Sequence, residues 1–175
     1  MLIGIISDTH DNLIGLQKAI QIFKERNIEM LIHCGDWVSP FTLEFFDREM
    51  KELRIPIKSV VGNNPGDIKR TIVSNAKMQN PIEWAKTVML LIEIDEKKMV
   101  VYHGDDREIL STLIDSQKYD VVFTGHTHAS RNETIGKTLV INPGTTSYAC
   151  EGKIIDKASV AVYDSETNKA ELIYF

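Results

Sequence analysis

The chain has 175 residues, 43% of them hydrophobic and 26% charged, with a formal net charge of −5. That length suits one compact domain over residues 1–175, and the acidic balance argues against a protein that draws stable affinity from nucleic-acid phosphates. Cys34 and Cys150 share no CxxC spacing and suit a reducing compartment. No run approaches the roughly 18 apolar residues of a membrane helix, so a cytoplasmic protein with no membrane partner is expected.

Short apolar runs alternate with helical patterns over the first two thirds of the chain. Leu2–Ile6 reads as a strand, followed by a helix with Leu13, Leu16, Ile20 and Phe23 on one face and Asp11 or Asn12 as its cap. Ile28–Ile32 is the second strand. Ser39 and Pro40 then suit the N-cap and first turn of a helix carrying Phe41, Phe45, Phe46 and Met50. With Ile57–Val61 as a third strand, the βαβαβ order implies parallel pairing with helices on the faces. Residues 65–86 show no clean period. Val88–Ile94 and Met99–Tyr102 flank a polar turn and read as a hairpin. A helix from about Asp106 to Lys118 would turn Ile109, Leu110, Leu113 and Ile114 inward. Further strands are expected at Val121–Thr124, Thr138–Ile141, Ser159–Tyr163 and Ala170–Tyr174. The sum is a layered α/β domain with a mixed sheet, or two sheets face to face between helices.

Polar side chains gather where these strands end. Asp8 and His10 follow the first strand, Asp36 the second and Asn63 the third; His103 follows the hairpin, and His126 and His128 follow Val121–Thr124. The carboxyl ends of parallel strands are where open α/β sheets bind ligands. Gly35, Gly62, Gly104 and Gly125 each adjoin one of these residues and allow the backbone to turn sharply there. Imidazole, carboxylate and amide oxygen together suit Mn²⁺, Fe²⁺, Zn²⁺, Ni²⁺ or Co²⁺ rather than calcium, and without thiolates a closed structural zinc site is not expected. Seven donors exceed what one ion takes while keeping a position open for water.

Asp8-Thr9-His10, Gly35-Asp36, Gly62-Asn63-Asn64, His103-Gly104 and Gly125-His126-Thr127-His128 occur in the order of the DxH, GD, GN, H and GHxH motifs, and the chain thereby resembles the calcineurin-like metallophosphoesterases. Its length and wording look most like the small bacterial and archaeal phosphodiesterases of the YfcE type. The resemblance implies a four-layer α/β/β/α sandwich. It also implies two divalent transition-metal ions, with Mn²⁺ favoured: one held by Asp8, His10 and His128, the other by Asn63, His103 and His126, with Asp36 bridging. The implied activity is hydrolysis of a small phosphate ester, a phosphodiester first, by a hydroxide bridging ions roughly 3.5–4 Å apart. Asp36, Asn64 and His126 are its candidate catalytic residues. A phosphomonoesterase or nucleotidase on the same site, and a non-catalytic scaffold of the same fold, are the alternatives, and a homo-oligomer is compatible with both.

The chain departs from the pattern in two places. Asn64 stands where many members have a histidine able to protonate the leaving group, with Pro65 next to it and Asp67 the nearest acid. Asp105 stands where an HGH motif has its second histidine. Outside the motifs, His33 reads as packed or hydrogen-bonded support, Trp37 as a buried side chain beside a helix start, and Asn142-Pro143-Gly144 as a turn closing a strand.

Overall fold

The computed structural model describes residues 1–150 and 152–175. The first half is built as expected from strands joined by helical crossovers: β1 (Leu2–Ile6), α1 (Leu13–Glu25), β2 (Met30–His33), α2 (Pro40–Met50) and β3 (Ile57–Ser59). It continues through α3 (Ile68–Asn75) and β4 (Ile82–Trp84). The second half holds β5 (Met89–Ile94), β6 (Lys97–Tyr102), α4 (Arg107–Asp115), β7 (Val121–Phe123), β8 (Arg131–Ile135) and β9 (Thr138–Asn142). The short strands β10 (Ala149–Cys150) and β11 (Lys153–Ile154) pair with each other, and β12 (Ser159–Asp164) and β13 (Lys169–Tyr174) complete the chain.

These strands form two mixed sheets. One runs β13-β12-β1-β2-β3-β4, with β1 to β4 parallel and β12 and β13 antiparallel; the other runs β5-β6-β7-β9-β8, with β6, β7 and β9 parallel. Strand alternation assigns the layers. Ile3 and Ile5 of β1 meet Met99 and Val101 of β6, Val121 and Phe123 of β7 and Ile141 of β9 in a core between the sheets. On its other face β1 presents Ile6 to Leu16, Phe23 and Phe46 of α1 and α2. Gly4 shares that face, and a Cβ there would come within 2.9 Å of the Phe23 ring. Across the molecule Val100, Val122 and Val140 point away from the first sheet, against Leu113 and Ile114 of α4. The result is the expected α/β/β/α order. It explains why the parallel strands read as unbroken apolar runs: both their faces are buried.

Caps set the helix starts. Asn12 accepts from Gly15 N–H, Ser39 from Phe41 N–H with Pro40 in the first turn, Asp67 from Arg70 N–H, and Asp106 from Glu108 and Ile109 N–H. Several features differ from the sequence reading: Leu13 is exposed rather than on the buried face of α1, and the β10–β11 pair was not anticipated. Residues 65–86 contain α3 and β4; the helix was hidden because Ser74 is its only buried side chain, so it has no apolar core stripe. β8 was missed because an edge strand with an exposed Arg-Asn-Glu-Thr face does not alternate in hydrophobicity. In α4 the set Leu110, Leu113 and Ile114 meets the sheet, while Ile109 lies at the margin of that stripe and is exposed. Phe41 is likewise exposed, with the Arg70 guanidinium 4.8 Å over its ring.

α1 lies against the loop after β9. Thr145 Oγ donates to the Asp8 carbonyl, Asn12 Nδ2 donates to the Ser147 carbonyl, and a Cβ added to Gly15 would stand 1.9 Å from the Thr146 carbonyl oxygen. Replacing a helical glycine with alanine ordinarily stabilises by about 0.5–1 kcal/mol. Gly15→Ala is expected to destabilise instead, lowering the urea midpoint with m unchanged. An equal or higher midpoint would contradict this close approach.

Candidate metal centre

The motif residues converge. Asp8 and His10 leave the end of β1, Asp36 and Asn63 follow β2 and β3, and His103, His126 and His128 follow β6 and β7 of the second sheet. Backbone bonds lock the loops together: Asp8 N–H donates to the Gly35 carbonyl, His10 N–H to that of Asp36, Asp36 N–H to that of Val61, and Gly125 N–H to that of His103. Asp8, His10, Asp36, His126 and His128 all hold positive φ between 43° and 66°. Non-glycine residues seldom adopt that conformation, at a cost of order 1–3 kcal/mol each, and it clusters where side chains are aimed for function.

Two groups of donors could each hold an ion: Asp8, His10 and His128, and Asp8, Asp36 and His103. Asp8 Oδ1 lies 3.3 Å from His128 Nε2 and 3.6 Å from His10 Nε2. Asp36 Oδ2 lies 3.6 Å from His10 Nε2 and 3.5 Å from His103 Nε2. Asn63 Oδ1 is 2.8 Å from both His103 Nε2 and His126 Nδ1. All seven expected ligands therefore face a common volume.

The donor set fits a divalent cation on three further observations. Among the described residues, buried Asp8 Oδ1 has no hydrogen-bond partner, while its Oδ2 accepts from Ser7 Oγ and His126 N–H. The Nε2 atoms of His10 and His128 stand 3.1 Å apart. His128 Nδ1 donates to the Ala149 carbonyl and His103 Nδ1 to that of Cys34, which leaves each Nε2 lone pair facing inward, as a metal requires.

Electrostatics point the same way. Burial alone would raise the Asp8 carboxyl, but the His10 and His128 imidazoles facing Oδ1 and the nearby His103 hold it far below the usual range. Asp36 behaves alike: burial opposes its ionisation, and His103 and Asn64 outweigh it. The price appears on the histidines. Burial lowers His103, yet the Asp36 and Asp8 carboxylates lift it above its ordinary value, and the bond to Asp8 lifts His128. Without an ion, these buried acids thus favour the protonated forms of His103 and His128.

His33 supports the centre without entering it. Fully buried at the end of β2, its Nδ1 accepts from Gly35 N–H at 3.1 Å, so Nε2–H donates to Thr9 Oγ at 2.7 Å. Trp37 stacks on it at 3.8 Å and donates from its indole to Ser59 Oγ, a buried position as expected. Asn64 donates from its backbone N–H to Asp36 Oδ1 and from its side-chain amide to Oδ2, so both donors are engaged by the carboxylate. Asp67, the nearest acid after it, caps α3. Sequence reasoning underrated Asn142: besides ending β9, it donates to the Gly125 carbonyl and to Thr127 Oγ, pinning the loop that carries His126 and His128. An asparagine before proline at a strand end was its only signal.

Residues 1–168 match the calcineurin-like phosphoesterase superfamily domain, and the chain belongs to that superfamily. It is 37% identical over 174 residues to phosphodiesterase MJ0936 of Methanocaldococcus jannaschii, covering 95% of this chain and 94% of that one. Among solved structures, an archaeal phosphodiesterase superposes with a TM-score of 0.85 at 34% identity over the whole of both chains. The phosphoesterase YfcE of E. coli shares the fold, with a TM-score of 0.69 at 18% identity over 99% of this chain and 98% of that one.

Burial pushes the His33 imidazole down to about 3. The unfolded chain protonates it near pH 6.5, so its contribution to stability is present above about 6.5 and is lost as pH falls toward the folded value. His33→Gln keeps a donor and an acceptor but cannot titrate. With chelator present, the variant is expected to be less stable than the unmodified chain at pH 7.5, and the gap in urea unfolding should narrow steadily toward pH 4.5. A gap independent of pH would contradict the buried neutral imidazole.

Proposed function

We propose that the chain is a phosphodiesterase that works with two divalent ions, Mn²⁺ favoured, held by Asp8, His10 and His128 on one side and by Asn63, His103 and His126 on the other. The observation that carries this reading is the position of Asp36. One of its oxygens lies almost equally far from His10 of the first set and His103 of the second, as a shared carboxylate must. The kinship with an archaeal phosphodiesterase along nearly the whole chain supports the diester as substrate.

Ions bound there would supply Lewis acidity and a water acidified enough to attack phosphorus. The chain's own residues do the rest. Asp8 and Asp36, ionised well below neutral pH, keep the donor pocket negative and ready for cations. His126, exposed at the rim of the site beside Asn63, would be the imidazole nearest to an incoming phosphate. Asn64 holds both Asp36 oxygens, fixing the bridge, and its amide, which does not ionise, has no proton to give a leaving group. In-line attack by water forms one P–O bond and breaks another, giving an alcohol and a phosphate monoester, with the departing oxygen taking its proton from solvent.

Chelation is expected to abolish hydrolysis of a nitrophenyl phosphodiester and Mn²⁺ to restore it. Elemental analysis should find fewer ions per chain in Asp36→Ala than in His10→Ala. Two ions retained in Asp36→Ala would sink the bridging assignment, and full turnover by metal-free protein the reading itself.

A positioned general acid contributes about 10²–10⁴-fold when the leaving group is poor. The logarithm of kcat/KM plotted against leaving-group pKa is therefore expected to fall steeply across a diester series. A shallow slope would mean that another group donates the proton.

A further inference from the structure

A predominantly apolar cavity adjoins the candidate metal centre. Asn64, which holds Asp36, is part of its lining; Trp37 and Trp84 form further walls, and Ile68 and Ile72 of α3 stand over it. No lining residue is charged. Its volume is about 180 Å³. A cavity of about 150 Å³ lined by apolar side chains holds a benzene ring.

Three features indicate that this space is built to be filled. α3 leaves Ile68 51% and Ile72 62% exposed and buries only Ser74, so its apolar side chains contribute almost nothing to the core. The indole N–H of Trp84 is buried and finds no acceptor among the described residues, although indole donors in protein interiors are ordinarily satisfied. Val38, also in the lining, is β-branched and yet held at φ 75°. The loop that carries Asn64 is pressed onto it: a Cβ on Gly66 would meet the Val38 carbonyl oxygen at 1.8 Å. A strained turn thus holds one wall of the cavity in register with Asp36.

We propose that this cavity binds an apolar organic group of the substrate, about the size of one six-membered ring, with its phosphate at the neighbouring metal centre; the assignment rests on the phosphodiesterase reading above. The substrates favoured are esters with a compact hydrophobic or aromatic group. Small polar esters leave the space empty and bind only through phosphate.

Both tryptophans of the chain line the cavity, which provides a readout independent of catalysis. Cyclohexylphosphonate and methylphosphonate carry the same charged head and differ only in the apolar group. With Mn²⁺-loaded protein, cyclohexylphosphonate is expected to inhibit diester hydrolysis about ten- to a hundredfold more strongly than methylphosphonate, as burial of most of a ring implies. It should also shift tryptophan emission where methylphosphonate does not. Ile72→Asn, at a half-exposed position that a folded chain tolerates, is expected to bring the ratio of inhibition constants close to one. Leu91→Asn, remote from the cavity, is expected to keep it. Equal inhibition by the two phosphonates with unchanged emission would overturn the proposal. If no diester is hydrolysed under any metal, the phosphodiesterase reading fails instead, and the emission titration alone decides whether the cavity binds the ring.

Discussion

Two buried carboxylates organise this molecule. Asp8 and Asp36 sit at the junction of the two sheets, and among the described residues their ion-pair partners are all histidines. Among the described residues no lysine or arginine pairs with them. Buried charge without a partner is among the most expensive things a fold can contain, so the arrangement calls for positive charge at its centre. The facing imidazoles answer part of that need, and the donor groups are suited to a divalent cation. The positive φ values of Asp8, His10, Asp36, His126 and His128 are the mark of a backbone bent to deliver those donors.

Such bending is possible because the framework behind it is rigid. Strands buried on both faces present side chains alternately to the inter-sheet core and to a helical layer, as Ile5 and Ile6 do in β1. With both layers filled, the strand ends cannot drift, and the loops after them are tied to one another by backbone hydrogen bonds across both sheets. His33, Thr9, Asn142 and Asn64 add side-chain ties within and between those loops. Precision at the centre comes from this collective fastening rather than from any one contact.

The cavity beside Asn64 obeys a different logic. Its walls come from α3, β4 and the loops after β2 and β3; Trp37 and Trp84 reach it from the helical side of the core, while α3 adds little to that core.

A layered α/β domain, with one mixed sheet or two left open, and the candidate donors were legible in the sequence alone. Apolar runs buried on both faces are visible without coordinates, and ligand-capable residues placed just after such runs have one place to converge, the carboxyl end of a parallel sheet. The N-cap at Ser39 was equally legible, and that of α1 was narrowed to Asp11 or Asn12, because capping depends on neighbours within a single turn. Tertiary structure decided the rest. α3 and β4 escaped notice because a half-exposed helix and a three-residue strand leave no hydrophobic period to read. Whether Asn64 faced phosphate or Asp36 could not follow from its place in a motif, and the cavity formed by Trp37 and Trp84, 47 positions apart in the chain, has no local signature. Periodicity records which side of an element is buried; it carries nothing about what meets across a gap between two elements, since that is set by the packing of the whole.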